Sequence, residues 1–298
     1  MLDNQCKIVL KQCMDLKKNE SCLIVTDKKL LKIGKALLEN ALKISRHSVL
    51  VLTNIPKNHG TEPPANIANE MLNYDVILCP TSKSLTHTRA VASARKKGAR
   101  IATMPDITID MMKRALNVDF NKIKQLNDKL ISMLKNRDKI HIKTEKGTSL
   151  ILYTKGRKWI SDNGIYTENH SLGNLPAGEI FIAPVDYKSN RFLIADASIG
   201  SLGKITKDIT IEIEDGFLKK ITGSSLAKQF ESSLKENLFR NVAELGIGTN
   251  YKAKITGNVL EDEKVYGTFH IAFGNGTSPL VDAISILKVR CRSGFRFF

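Results

Sequence analysis

Three segments of the chain carry side chains of the kind that hold a cation. In Asn174–Pro184 (NLPAGEIFIAP), Glu179 opens an otherwise apolar run of Ile180, Phe181, Ile182 and Ala183. A pleated strand sends Glu179, Phe181 and Ala183 to one face and Ile180 and Ile182 to the other. Both faces are covered, so the carboxylate is expected to be at least partly buried. A buried anion needs a partner to offset its desolvation, and a metal cation is one of the few strong enough. In Val242–Asn250 (VAELGIGTN), Glu244 shares a face with Val242 and Gly246, while Ala243, Leu245 and Ile247 form the opposite, apolar face. Small neighbours there leave room for a ligand beside the carboxylate. In Glu261–Gly274 (EDEKVYGTFHIAFG), strand parity gives an apolar face of Val265, Phe269, Ile271 and Phe273. The reverse face is Tyr266, Thr268, His270 and Ala272, so His270 is expected to face a cleft between small side chains. Each segment alone also has an ordinary reading: a strand glutamate paired with a lysine, a half-exposed glutamate, a structural histidine. Together, two strand-borne glutamates and an imidazole make a mixed oxygen and nitrogen set suited to Zn²⁺, Mn²⁺ or Fe²⁺. Such an ion would lower the pKa of bound water and polarise a carbonyl. His141 and His170 lie without a nearby carboxylate pattern, and the residue types single out no general base.

The elements that must position these groups follow from hydrophobic spacing. Residues 1–136 alternate strand and helix. Ser21–Asp27, Ser48–Thr53, Asp75–Cys79 and Ala99–Thr103 are short runs rich in Leu, Ile and Val, with turn signals near their ends. Between them Lys29–Ile44, Pro64–Tyr74 and Thr86–Lys97 read as helices, and Ile107–Leu116 and Phe120–Lys135 close the domain. Strand-helix alternation predicts a parallel sheet with right-handed crossovers. From Lys139 short strands take over: Lys139–Thr144, Ser149–Thr154, Glu179–Ala183, Arg191–Ala195, Ile205–Glu214, Val242–Gly246 and Val265–Phe273. One helix, Ser225–Phe239, interrupts them. The predicted fold class is α/β, with an N-terminal parallel-sheet domain (1–136) followed by a strand-rich α+β domain (137–298) that carries the metal site.

Composition narrows the class. The 298 residues are 42% apolar and 26% charged, a globular balance. No window approaches ~18 uncharged apolar residues, which argues against a membrane span, and MLDNQCKIVLKQC lacks the apolar core of a secretory signal. Five scattered cysteines without a Cys-x-x-Cys pair read as reduced thiols in the cytoplasm. The net charge of +16 admits a nucleic-acid partner. The charges are spread, however, and lysine outnumbers arginine 34 to 12, whereas bidentate phosphate contacts favour arginine. A lysine-rich solvated surface is the better reading. His-Glu-x-x-His, Gly-x-Ser-x-Gly and Walker-type loops are absent, and Gly246-Ile247-Gly248 lacks the setting of a dinucleotide fingerprint.

The ordered set NLPAGEIFIAP, AELGIGTN and EDEKVYGTFHIAFG resembles the metallo-aminopeptidases of the thermophilic aminopeptidase T and S type. Their shorter relatives include 2,5-dihydroxypyridine dioxygenases. SLTHTRAVASARKKGARIATMP extends the resemblance more loosely into the first half. The resemblance implies a cytoplasmic, homodimeric hydrolase active in proteolysis. It would release N-terminal amino acids from peptides at a pair of divalent ions (Zn, Co or Mn), with Glu179, Glu244 and His270 as metal ligands. Its alternatives are a non-heme Fe(II) ring-opening dioxygenase and a catalytically inactive relative. The chain departs from the peptidase pattern downstream. His270 is its last histidine, so the His-x-Asp pair is missing and Asp282 is the remaining downstream carboxylate. Thr277 stands where the peptidases carry a catalytic tyrosine.

Overall fold

The computed structural model describes residues 2–200, 202–234, 240–275 and 282–290, with backbone alone at 275, 282–288 and 290. In chain order the first elements are α1 (Asp3–Lys7), β1 (Cys22–Asp27), α2 (Leu31–Leu42), β2 (Ser48–Thr53), α3 (Ala65–Glu70), β3 (Val76–Cys79), α4 (Arg89–Lys96), β4 (Arg100–Thr103), α5 (Ile109–Ala115) and α6 (Phe120–Leu134). Then come β5 (Lys139–Lys143), β6 (Ser149–Tyr153), β7 (Ile160–Asp162), β8 (Leu172–Asn174), β9 (Glu179–Ile182), β10 (Asn190–Ala195), β11 (Ser198–Ile199), β12 (Gly203–Lys204), β13 (Ile209–Glu214) and β14 (Phe217–Thr222). The last are α7 (Ser225–Ser233), β15 (Val242–Gly248), α8 (Val259–Asp262), β16 (Thr268–Asn275) and β17 (Asp282–Arg290).

Residue contacts divide the chain into two units, 1–122 with 162–177, and 123–161 with 178–298. The sequence reading places a single boundary near 137, whereas this division crosses the chain three times. In the first unit a parallel sheet runs β2-β1-β3-β4-β8. Every residue of β1, β3 and β4 is buried, as expected where helices cover both faces of a parallel sheet. Gly34 lets α2 approach β1 closely, since a Cβ there would stand 2.8 Å from the Thr26 methyl. Arg100, 5% exposed, makes a bidentate pair with Glu20 at 2.9 and 2.7 Å.

The second unit contains two antiparallel sheets, β14-β13-β10-β6-β5 and β12-β11-β17-β16-β15-β9-β7. One core joins them: Ile140, Leu152, Leu193 and Ile211 from the first meet Ile180, Leu245, Phe269 and Phe273 from the second. Parity therefore sends the apolar face of β9, β15 and β16 into the core and leaves their other face for polar groups. Two expected strands are shorter than predicted. β13 begins at Ile209 rather than Ile205, and β16 begins at Thr268 rather than Val265. Gly267, at φ +75°, and a Thr268 N–H to Val265 carbonyl bond of 3.3 Å make residues 265–267 a turn. The predicted helix Ser225–Phe239 is α7 as far as Ser233, and its residues 235–239 lie outside the described set.

Candidate metal centre

The three singled-out residues meet on the polar face of β9, β15 and β16, and strand register explains why. β15 lies between the other two strands, with Gly248 opposite Glu179 and Gly246 opposite His270. Directly paired residues share a face, and alternate residues along a strand do too. Glu244, Gly246, Gly248, Glu179 and His270 are therefore on one side. The two glycines leave the middle strand bare, so the flanking side chains lean across it. A Cβ on Gly246 would stand 2.0 Å from His270 Cε1 and 2.2 Å from its Nε2. The room that the sequence suggests beside Glu244 is filled by the imidazole itself.

His270 Nε2 is 3.1 Å from Glu244 Oε1 and 3.7 Å from Glu179 Oε2. The side chains are 0%, 13% and 7% exposed for His270, Glu244 and Glu179. His270 is thus buried, where the sequence suggested an imidazole facing an open cleft. Burial and the nearby Glu179 and Glu263 carboxylates push the Glu244 carboxyl well above its ordinary range, and Lys264 opposes that shift.

Two residues that sequence reasoning missed complete the setting. Lys264, fully buried, places its ammonium 2.5 Å from Glu179 Oε1 and 3.1 Å from Glu263 Oε2. The loop that delivers it is tightly built. The Glu261 carboxylate accepts from the Lys254 N–H at 3.0 Å, and that of Asp262 accepts from Thr256 and Gly257 at 2.7 and 3.0 Å. The Asn250 N–H donates to the Lys264 carbonyl at 2.7 Å. Asn127, buried on α6, donates through Nδ2 to the Glu179 carbonyl at 2.8 Å and to Ser161 Oγ at 3.0 Å. Its Oδ1 accepts from Thr249 Oγ1 at 2.7 Å. Asn127 thereby ties the start of β9 to the end of β15. Glu-Asp-Glu-Lys was visible in the sequence, but reading Val265 onward as strand hid the turn that brings Lys264 back. Nothing in the spacing of α6 marked Asn127.

The other candidates lie elsewhere. His141 pairs with Ser149 Oγ at 2.9 Å on β5 and β6, and His170 with the Arg95 carbonyl at 2.7 Å in the first unit. Thr277 is outside the described residues, as is the Asp282 side chain.

The donor chemistry suits a divalent ion. Three carboxylates (Glu179, Glu244 and Glu263) interact in a buried setting that holds one ammonium and one imidazole. Buried excess negative charge is what a cation offsets, and carboxylate oxygen with imidazole nitrogen is a transition-metal donor set. Among the described residues no three His, Cys, Asp or Glu side chains are arranged to cage an ion by themselves. Glu179, Glu244 and His270 thus offer donors of the right type without forming such a group among the described residues.

A strand-rich α/β fold with an acidic, histidine-bearing face on three adjacent strands defines a class of candidate cation-binding proteins. The family model of the thermophilic metalloproteases (M29) matches residues 64–282, and the chain belongs to that family. The family implies a divalent metal cofactor. Two solved structures share the fold. The chain is 17% identical to 2,5-dihydroxypyridine dioxygenase from Pseudomonas putida KT2440, with a TM-score of 0.81 over 97% of this chain and 91% of that one. It is 14% identical to wild-type AmpT from Thermus thermophilus, with a TM-score of 0.68 over 92% and 85%. Among curated proteins none matches. Among the described residues no helix is long and apolar enough to cross a membrane.

Proposed function

We propose that the chain is a divalent-metal-dependent aminopeptidase that releases N-terminal amino acids from peptides, with Glu179, Glu244 and His270 as metal ligands. The observation that carries this reading is the meeting of these three residues on β9, β15 and β16 in a member of a metalloprotease family. A bound divalent ion would supply a more acidic water and a polarised carbonyl. The chain's own residues prepare that chemistry. His270 offers Nε2 on the side of both glutamates, so as a ligand it would be neutral with its proton on Nδ1. Lys264 Nζ holds Glu179 Oε1 at 2.5 Å, and Asn127 fixes the backbone from which Glu179 projects. The buried face limits competing water around the carboxylates. A homodimer and a cytoplasmic location belong to the same proposal.

A second reading keeps the ligands and changes the chemistry, to Fe(II)-dependent ring opening of a dihydroxypyridine. Thr277, at the position of the peptidase tyrosine, favours it. The test is release of free amino acid from dipeptides by protein loaded with Zn²⁺, Mn²⁺ or Co²⁺, against oxygen uptake with 2,5-dihydroxypyridine by protein loaded with Fe²⁺. Amino-acid release that E244A abolishes supports the peptidase. Oxygen uptake alone replaces it with the dioxygenase, and neither activity marks an inactive relative.

A further inference from the structure

The sheet β14-β13-β10-β6-β5 has two unlike faces. One sends Leu150, Leu152, Leu193 and Ile211 into the core. The other is exposed, and an exposed face of an antiparallel sheet is ordinarily polar. Here the adjacent strands β6 and β10 present Ile151, Tyr153, Phe192 and Ile194 on it, with Tyr153 37% and Phe192 47% exposed. Phe217 on β14 stands opposite Glu214 and shares this face. Tyr187 stacks on Phe217 with ring centroids 5.3 Å apart, at φ +61° and 60% exposed. A bulky residue seldom takes that backbone conformation, and strain of this kind is kept where a function requires it.

The charges on the face are sorted by strand. β5 carries Lys139 and Lys143 on one side of the apolar strip, and β13 carries Glu212 and Glu214 on the other. Desolvation, followed by the Lys143, Arg191 and Lys139 charges, holds the His141 imidazole on β5 below its ordinary value, which marks that side as positive. Lys219 and Lys220 on β14 border the glutamates. The Lys219–Glu214 pair, 3.5 Å apart, has side chains 52% and 63% exposed, and such pairs contribute little.

We propose that this face is a homodimer interface, on which a second copy of the chain packs sheet to sheet about a twofold axis running along the strands between β6 and β10. The proposal rests on the homodimer reading above and says which surface forms it. That rotation lays the apolar strip of one copy on that of the other and sets β5 of each over β13 of the other. The lysine row then meets the glutamate row twice, by symmetry. Aligned sheets about 10 Å apart leave room for interdigitated side chains. Two chains of net charge +16 repel, and a surface with its own acidic row offsets that repulsion. A second copy fits better than a nucleic acid, whose phosphates would meet Glu212 and Glu214.

Sedimentation equilibrium on the full chain tests this, with circular dichroism to verify folding. Wild type is a dimer. F192E raises its dissociation constant at least about thirtyfold, as loss of a central aromatic anchor does. K139E/K143E and E212K/E214K are each monomeric, because like charges then face each other. An equimolar mixture of the two is again a dimer holding one of each, seen by native mass spectrometry. A mixture that stays monomeric, or a wild-type dimer that all these variants leave intact, overturns the proposed face and leaves the homodimer reading standing. A monomeric wild type overturns both, and if an RNA column retains it but not F192E, the face belongs to a nucleic acid instead. If one charge variant does not fold, F192E and the other decide. None of the substituted residues belongs to the metal cluster, so the aminopeptidase reading is tested separately.

Discussion

Substituting alanine for Gly246 is the sharpest test of how the site is built. The added Cβ would meet His270 Cε1 at 2.0 Å and Nε2 at 2.2 Å, where non-bonded carbons rest at roughly 3.5–4 Å. The ring must therefore retreat by about 1.5 Å from van der Waals separation alone. It is fully buried and cannot swing into solvent. Overpacking of this kind costs about 1–3 kcal/mol. The 3.1 Å contact with Glu244 is lost as the ring moves, which adds about 1–2 kcal/mol for a bond to a charged or partly charged group. The expected total is about 2–5 kcal/mol in urea unfolding, with metal affinity falling in parallel. The clash has a single named cause, so a double-mutant cycle isolates it. In an H270A background the ring is gone, and G246A costs less than about 1 kcal/mol. An equal cost in both backgrounds, or a G246A protein as stable as wild type, would refute the register-based account of the site.

Other outcomes follow from the same geometry. N127A removes the bonds to the Glu179 carbonyl and to the Ser161 and Thr249 hydroxyls; at about 1 kcal/mol for each bond lost, it lowers stability by roughly 3 kcal/mol, read as a shift in the urea midpoint. The raised Glu244 carboxyl means that the metal-free folded state keeps a proton which the unfolded chain releases above its ordinary value of 4.5. The stability of wild type relative to E244Q therefore falls as pH rises from about 5 toward 8 in chelator, and saturating Zn²⁺ reduces the fall; a rising difference would contradict the assignment. Burial pushes the thiols of Cys6, Cys22 and Cys79 up to about 12, and that of Cys13 well above its usual range. Peptide mapping after brief alkylation of native protein finds all four unmodified, and denaturant exposes them.

Much of this architecture is written in local pattern. β1, β3 and β4 are buried along their whole length, and the apolar stretches within them, Leu23-Ile24-Val25, Val76–Cys79 and Ile101-Ala102, stand out without an alignment. The same parity that buries Ile180, Leu245 and Phe269 assigns Glu179, Glu244 and His270 to a common side of their strands. Parity does not say which strands are neighbours; that pairing is a tertiary fact, and it is what turns three weak signals into one cluster. β8 escaped notice because Leu172-Gly173-Asn174 has no apolar pattern and exists as a strand through its pairing with β4. Lys264 escaped because a turn, not strand period, directs it. Asn127 escaped because a buried helix asparagine gains meaning only from partners 34 to 122 residues away in the chain.

The most direct measurement is anomalous diffraction at the Zn or Mn absorption edge from crystals of the metal-loaded protein. The account predicts a peak about 2.0–2.3 Å from a Glu179 oxygen, a Glu244 oxygen and His270 Nε2. Loaded crystals with no peak among these three residues, or with the ion bound elsewhere while Lys264, Glu179, Glu244 and His270 keep their present contacts, would contradict it.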